Sequence, residues 1–213
     1  MLEALAAEPD PPTTERTPAA ALRAHVADGL SGLEVDELRQ ARRVADLGSG
    51  AGFPGLVLAA ARRDMQVDLV ESAARKCAVI DRLIRASAIE NARSVRARAE
   101  EWGALPAQAG GGAGGYDVVT ARALGSLALL EEYAAPLLRD GGVLVAWKGE
   151  RDPDEEEAGA AAAAALGMAP EAVLAVVPFE GARHRHLHVV RKVAPTPPGF
   201  PRRAGMARKR PLG

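Results

Sequence analysis

Val44-Ala45-Asp46-Leu47-Gly48-Ser49-Gly50-Ala51-Gly52-Phe53-Pro54-Gly55 reads as a short apolar strand that ends in an acid and opens into glycines at every second position. Nineteen residues after Gly52, Glu71 closes a second apolar run, Val67-Asp68-Leu69-Val70. Alternating glycines let backbone N–H groups and Cα hydrogens approach a ligand where a Cβ would collide. A helix following such a loop points its positive end at the ligand. An acid at the tip of the next strand is placed to accept hydrogen bonds from a ribose diol. The combination describes a nucleoside-containing cofactor lying across the C-terminal edge of a parallel sheet.

The dinucleotide fingerprint G-x-G-x-x-G requires glycine three residues after Gly50, and that position is Phe53. The observed D-x-G-x-G-x-G spacing resembles motif I of class I S-adenosylmethionine (SAM) methyltransferases. SAM carries a ribose but no pyrophosphate, so its site needs room more than a phosphate cradle. A nicotinamide-type ligand and a glycine turn serving only packing are the alternatives; the turn alone would not require Glu71.

The rest of the chain alternates strand and helix. Strands are predicted at 43–47, 67–71, 93–97, 116–121, 143–147, 172–178 and 187–193, with helices at 54–63, 73–87, 126–138 and 154–166 between them. This pattern predicts an α/β fold, Rossmann-like and doubly wound, with a mostly parallel seven-stranded sheet. Thr17 as N-cap with Pro18 at N1 opens a helix to Leu30, and a shorter piece runs from Glu34 to Arg42. Residues 1–17 and the Gln108–Gly115 loop read as loose, and Asp140-Gly141-Gly142 as a turn.

The chain has 213 residues, 48% of them apolar, enough to bury a substantial core. The net charge of −1 conceals an asymmetry, since residues 181–213 hold nine Lys/Arg and no Asp or Glu. A basic end on an acidic body points to a polyanion. Arg202, Arg203, Arg208, Lys209 and Arg210 lie within nine residues without helical or strand period, which predicts an unpacked segment that follows RNA phosphates and gains order on contact. One cysteine rules out an intramolecular disulfide and a cysteine-rich zinc site. With neither a signal-peptide pattern nor an 18-residue apolar run, the chain reads as cytoplasmic and not membrane-bound.

Candidate site residues follow from strand ends. Asp46 is expected to hold the glycine loop and face the methionine part of SAM. Ala99-Glu100-Glu101 follows strand three, where a backbone N–H and a carboxylate can meet the adenine edge, although paired acids are also common on surfaces. Strand four ends in Thr120-Ala121-Arg122-Ala123, without the D/N-P-P-Y/F motif of amino-group methylases. Cys77 sits mid-helix as a core residue, not a nucleophile. Arg122 cannot act as a base at neutral pH, but it can clamp phosphate or pair with the O6/N7 edge of guanine. Lys148 is a second cation on the same rim, so these two are substrate-positioning candidates, and no catalytic residue is certain. Cations without a base or nucleophile suit guanine N7, which has a lone pair and no proton to lose. His184, His186 and His188 alternate, yet metal sites draw ligands from several elements; they read as strand residues facing solvent or RNA, and no metal is expected.

The chain resembles the small-subunit ribosomal RNA methyltransferase G family, also called glucose-inhibited division protein B. The resemblance rests on His25-Val26-Ala27-Asp28 (H-x-x-D), Asp46 to Gly55, Glu71 with Arg75-Lys76, Arg98-Ala99-Glu100-Glu101, Thr120 to Ala123, Lys148-Gly149, and the ending Phe200-Pro201-Arg202-Arg203-Ala204-Gly205…Lys209-Arg210-Pro211-Leu212. It implies a SAM-dependent enzyme that methylates N7 of a guanosine in bacterial 16S ribosomal RNA, free or within the small subunit. It implies cofactor contacts at Gly48, Phe53, Ala99, Glu100 and Arg122, with Glu71 as ribose acid; Asp46, Ser49 and Gly50 complete the expected set. Three segments are expected: an N-terminal helical extension (1–42), the methyltransferase domain (43–193) and a basic tail (194–213). The extension is shortened relative to the family, lacking its W-N-x-x-x-N-L-T segment, and Gly29 replaces the usual serine. A small-molecule SAM methyltransferase and a non-catalytic RNA-binding protein are the rival readings.

Overall fold

A computed structural model describes residues 1–15 and 17–212. Seven strands form one sheet in the order β3-β2-β1-β4-β5-β7-β6. They are β1 (Arg43–Leu47), β2 (Gln66–Glu71), β3 (Ala92–Arg96), β4 (Tyr116–Arg122), β5 (Leu138–Lys148), β6 (Met168–Ala175) and β7 (His186–Lys192). The first five run parallel, and β7 inserts antiparallel between β5 and β6. The central strands are buried on both faces: Val44, Leu69, Val118, Val119, Val143 and Val145 are fully covered. Such continuous apolar runs are what a sheet wrapped by helices on both faces requires.

Local chemistry sets the helices. Helix α2 (Pro18–Ala21) is capped by Thr17, whose Oγ1 accepts from Ala20 N at 3.2 Å. It continues through a π-helical turn (Leu22–Ala27) into α3 (Asp28–Leu30). A 3₁₀ turn (Ser31–Glu34) and α4 (Asp36–Gln40) lead to β1. Helix α5 (Gly55–Ala61) follows the glycine loop and α6 (Ala74–Ala86) follows β2. Helix α7 (Ala99–Ala104) was not expected from sequence; its signal is Glu101 at the third position, whose Oε2 accepts from Arg98 N at 3.3 Å. Helix α8 (Leu127–Ala134) is shorter than expected, and α9 (Pro153–Ala165) starts at Asp152, whose Oδ1 caps Asp154 N and Glu155 N.

Four expectations of disorder or shape are corrected. The expected looseness of residues 1–17 fails at their start: α1 (Leu2–Ala6) buries Leu5 in the core, and Glu8 forks onto Arg82 at 2.6 and 2.7 Å, while Arg16 lies outside the described residues. The Gln108–Gly115 loop is pinned, with Gly112 N on Trp102 O and Gly114 N on Pro136 O, both at 3.0 Å. A Cβ at Gly112 would stand 2.3 Å from the Trp102 indole, so Gly112 serves close packing, while Gly114 supplies a left-handed turn at φ +64°. Strand β5 begins at Leu138 and passes through the expected turn, its register shifting where Tyr116 and Val118 face it. The basic end is not unpacked: α10 (Met206–Lys209) buries Ala207, and Arg202 forks onto the buried Glu132.

Candidate active site

Strand order reverses between β1 and β4, and α/β folds open a crevice at the C-terminal ends of strands flanking such a reversal. Two depressions lie there. The first is a cavity of about 340 Å³, of small-ligand size, lined by Gly48, Glu71, Ala99, Glu100, Leu124 and Tyr133 among others. Gly48 adopts φ +62°, and a Cβ there would lie 2.5 Å from Leu124 Cδ1. Only glycine keeps both the left-handed turn and the packing of Leu124.

Backbone amides hold the acids of this cavity. Glu71 Oε1 accepts from Ala73 N at 2.8 Å, and Oε2 accepts from Gly50 N at 3.2 Å. Lys76 Nζ stands 3.9 Å from Oε2. Glu100 Oε1 accepts from Gly205 N at 2.8 Å. Burial and the neighbouring Glu100 raise the pKa of Tyr133 above the usual phenol value. A cavity with two buried carboxylates, a left-handed Gly48 on its lining and room for a nucleoside fits a cationic, ribose-bearing ligand.

Asp46 does not face this cavity. It is fully buried, its Oδ1 accepting from Thr120 Oγ1 at 2.9 Å and Oδ2 from Gly55 N at 3.2 Å. It ties the start of α5 to β1 and β4. Burial pushes its carboxyl up to about 6 against the pull of those bonds. Ser49 stands behind the loop with its Oγ on Asp46 O at 2.7 Å, and Gly50 touches the site through the Glu71 bond. Phe53 stacks on His25 at 4.6 Å between centroids, away from the cavity.

The second depression, about 470 Å³, is lined by Arg122, Lys148, Arg185, Trp147, His25 and Asp28 among others, and it shares Ala123 with the first. Ala123 holds φ +54°, a strained region for a residue with a Cβ and one that recurs at functional sites. Arg122 lies in this depression, not among the residues lining the first cavity. Its Nη1 donates to Asp28 Oδ2 at 2.7 Å and Ala24 O at 2.9 Å, and its Nη2 meets His25 Nδ1 at 3.0 Å. Arginine only donates, so His25 Nδ1 accepts and its Nε2 carries the proton toward Thr13 Oγ1, 2.7 Å away. Burial first, and Arg122 second, push the His25 pKa below its usual value, which keeps the ring neutral. Lys148 Nζ donates to Glu155 Oε1 at 2.5 Å and Gly125 O at 3.1 Å. Trp147 Nε1 donates to Asp28 O at 2.9 Å and passes over Gly32, where a Cβ would lie 2.3 Å from the ring.

Sequence reasoning missed Ser72, Lys76, Leu124, Tyr133 and Arg208 as cavity residues; Lys76 carried a signal in the quoted Arg75-Lys76 pair, and Arg208 was expected on RNA phosphate instead. The histidine stripe separates. His184 lies in the loop before β7, His186 Nδ1 meets Gly149 O at 2.8 Å, and His188 is buried, not facing solvent as expected. Cys77 is buried, with Sγ donating to Glu71 O at 3.2 Å. Among the described residues no group of three metal-ligating side chains assembles, and no helix is long and apolar enough to cross a membrane.

Residues 13–187 match the family model described as rRNA small subunit methyltransferase G. The chain belongs to that family. A relative from Roseiflexus castenholzii, named ribosomal RNA small subunit methyltransferase G, is 42% identical over 80% of this chain and 70% of its own length. One of the same name from Chloroflexus aggregans is 39% identical over 94% of this chain and 82% of its own. Among solved structures, the mitomycin 7-O-methyltransferase superposes with a TM-score of 0.64 at 14% identity, over 84% of this chain and 56% of that one. The Burkholderia thailandensis 1,6-didemethyltoxoflavin-N1-methyltransferase, solved with S-adenosylhomocysteine, gives 0.56 at 17%, over 80% of each chain. The fold is therefore that of class I SAM methyltransferases, and membership in the family makes this chain a SAM-dependent methyltransferase.

Proposed function

We propose that this chain transfers a methyl group from SAM to N7 of a guanosine in bacterial 16S ribosomal RNA, acting in the cytoplasm on the RNA or on the small ribosomal subunit. The observation that carries this reading is the pair of depressions meeting at Ala123, one with amide-held acids, the other lined by cations. When bound, SAM supplies an electrophilic methyl on a sulfonium. Glu71 takes the ribose diol, and the Ala99–Glu100 backbone with the Glu100 carboxylate takes the adenine edge. Asp46, Ser49 and Gly50 hold the loop, and Phe53 sets it against His25. Arg122 and Lys148 orient phosphate or the guanine edge. N7 releases no proton, so the reaction needs alignment and exclusion of water, not a base. That agrees with His25 Nδ1 spending its lone pair on Arg122.

Radiolabelled methyl transfer to deproteinised ribosomal RNA and to small subunits tests the proposal, with borohydride–aniline cleavage reporting 7-methylguanosine. Transfer to neither, with SAM still bound, returns the field to the small-molecule and non-catalytic readings. Cys77→Ser is expected to retain transfer; its complete loss in a folded, SAM-binding protein would count against the N7 route.

A further inference from the structure

The basic C-terminal segment divides its cations in two directions. Arg202 is anchored inward, its Nε donating to Glu132 Oε1 at 2.7 Å and its Nη2 reaching Glu132 Oε2 as well as Arg210 O at 2.8 Å. Phe200 and Leu212 pack on the cluster that also holds Leu47, Val70 and Tyr133. Gly205, at φ +83°, makes the reversal into α10 and spends its N–H on Glu100 Oε1. Past the buried Ala207, Arg208 lines the donor cavity and donates from Nη2 to Leu124 O at 3.3 Å, next to Tyr133. Arg203, Lys209 and Arg210 are exposed, and none of their side chains holds an ion pair among the described residues.

We propose that Arg208 is a donor-binding residue, and that segment 200–212 forms a wall of the donor cavity through which RNA contact and donor binding are linked; the proposal rests on the function proposed above. The guanidinium is a flat cation that suits either a purine face or a carboxylate, both of which the donor carries. Phosphates taken up by Arg203, Lys209 and Arg210 break none of the contacts that dock the segment. RNA therefore steadies the wall, and by linkage each ligand tightens the other by the same factor.

Calorimetry on the full chain tests this with S-adenosylhomocysteine and with methylthioadenosine, which lacks the carboxylate, each with and without deproteinised 16S ribosomal RNA. Arg208→Ala should weaken S-adenosylhomocysteine about tenfold, the loss of one charge-assisted contact. An unchanged methylthioadenosine affinity then assigns Arg208 to the carboxylate, and a matching loss assigns it to the purine. In the unmodified chain RNA should tighten S-adenosylhomocysteine about fivefold. The triple variant Arg203→Ala/Lys209→Ala/Arg210→Ala should lose that gain and much RNA affinity while keeping the RNA-free affinity. Thermal melts of each variant guard against misfolding, and Arg208→Gln repeats the test if the alanine variant melts early. Equal S-adenosylhomocysteine affinity in the Arg208 variants and the unmodified chain, or no gain with RNA, overturns the inference while the functional proposal stands. An unmodified chain that binds neither ligand sinks the functional proposal itself, and this inference with it.

Discussion

The two depressions that meet at Ala123 are held together in opposite ways. In the donor cavity the acids Glu71 and Glu100 are fixed by backbone N–H groups of Gly50, Ala73 and Gly205. In the neighbouring cleft the cations are fixed by side chains, Arg122 by Asp28 and Lys148 by Glu155. A backbone amide cannot swing away, so the first site is preorganised for one ligand. The Lys148–Glu155 pair at the rim can be exchanged for phosphate, whereas the buried Arg122–Asp28 pair fixes the shape of the cleft that receives a polyanion. The contrast suits the proposed function, with a small donor of fixed shape on one side and a bulky nucleic acid on the other.

The largest expected effect tests the side-chain half of this contrast. Arg122 and Asp28 are both mostly buried, and Asp28 Oδ1 already lacks a hydrogen-bond partner, with Arg185 Nε 3.7 Å away. Arg122→Ala should cost about 3 kcal/mol of stability in urea melts, because it strands a buried carboxylate. Adding Asp28→Asn should recover much of that. If the single variant melts like the unmodified chain, the pair is not what shapes the cleft.

Next comes the amide-held half. Glu71→Ala should weaken SAM by about 1.5–3 kcal/mol, the range for a hydrogen bond to a charged group, and leave RNA affinity unchanged. Calorimetry showing unchanged SAM affinity in the folded variant would remove Glu71 from the donor site.

A third carboxyl sharpens the comparison because one of its oxygens has neither kind of support. Glu131 is buried between α8 and α9, and its Oε2 has no hydrogen-bond partner. Burial pushes its pKa up to about 8 from the usual 4.5. The folded value lies above the unfolded one, so its contribution to stability is complete below pH 4.5 and is lost as pH rises through 8. Glu131→Gln should therefore gain about 2 kcal/mol over the unmodified chain at pH 8, after discounting for relaxation, and little at pH 4. Parallel pH–stability curves for the two proteins would show that the carboxyl is hydrated.

The smallest effect concerns Lys148. If it exchanges Glu155 for one phosphate, Lys148→Ala should lower the slope of log K against log salt by about 0.7 for single-stranded RNA. An unchanged slope would mean that the Glu155 pair holds throughout and that Lys148 only shapes the rim.

Much of this was legible because it is local. Strand periods, the alternating glycines before α5 and the spacing to Glu71 depend on residues within a few turns of each other, and the sheet followed. The expectations that failed did so through distant partners. Residues 1–17 looked loose from composition, but Leu5 finds the core and Glu8 finds Arg82, 74 residues away. The glycines near 112 looked flexible because their partners, Trp102 and Pro136, belong to other elements.

From sequence alone, the chain determined its order of strands and helices, its nucleoside-type cradle and its family, since steric and periodic rules act on neighbours. Only the tertiary structure decided which way each charged side chain turned. It took Asp46 out of the cavity and placed it under α5, and it locked Arg122 to Asp28 across 94 residues. It also brought Gly205 to Glu100 across 105 residues, dividing the tail's cations into inward and outward sets. A buried charge must find a partner wherever the fold supplies one, and the position of that partner is a property of packing, not of spacing along the chain.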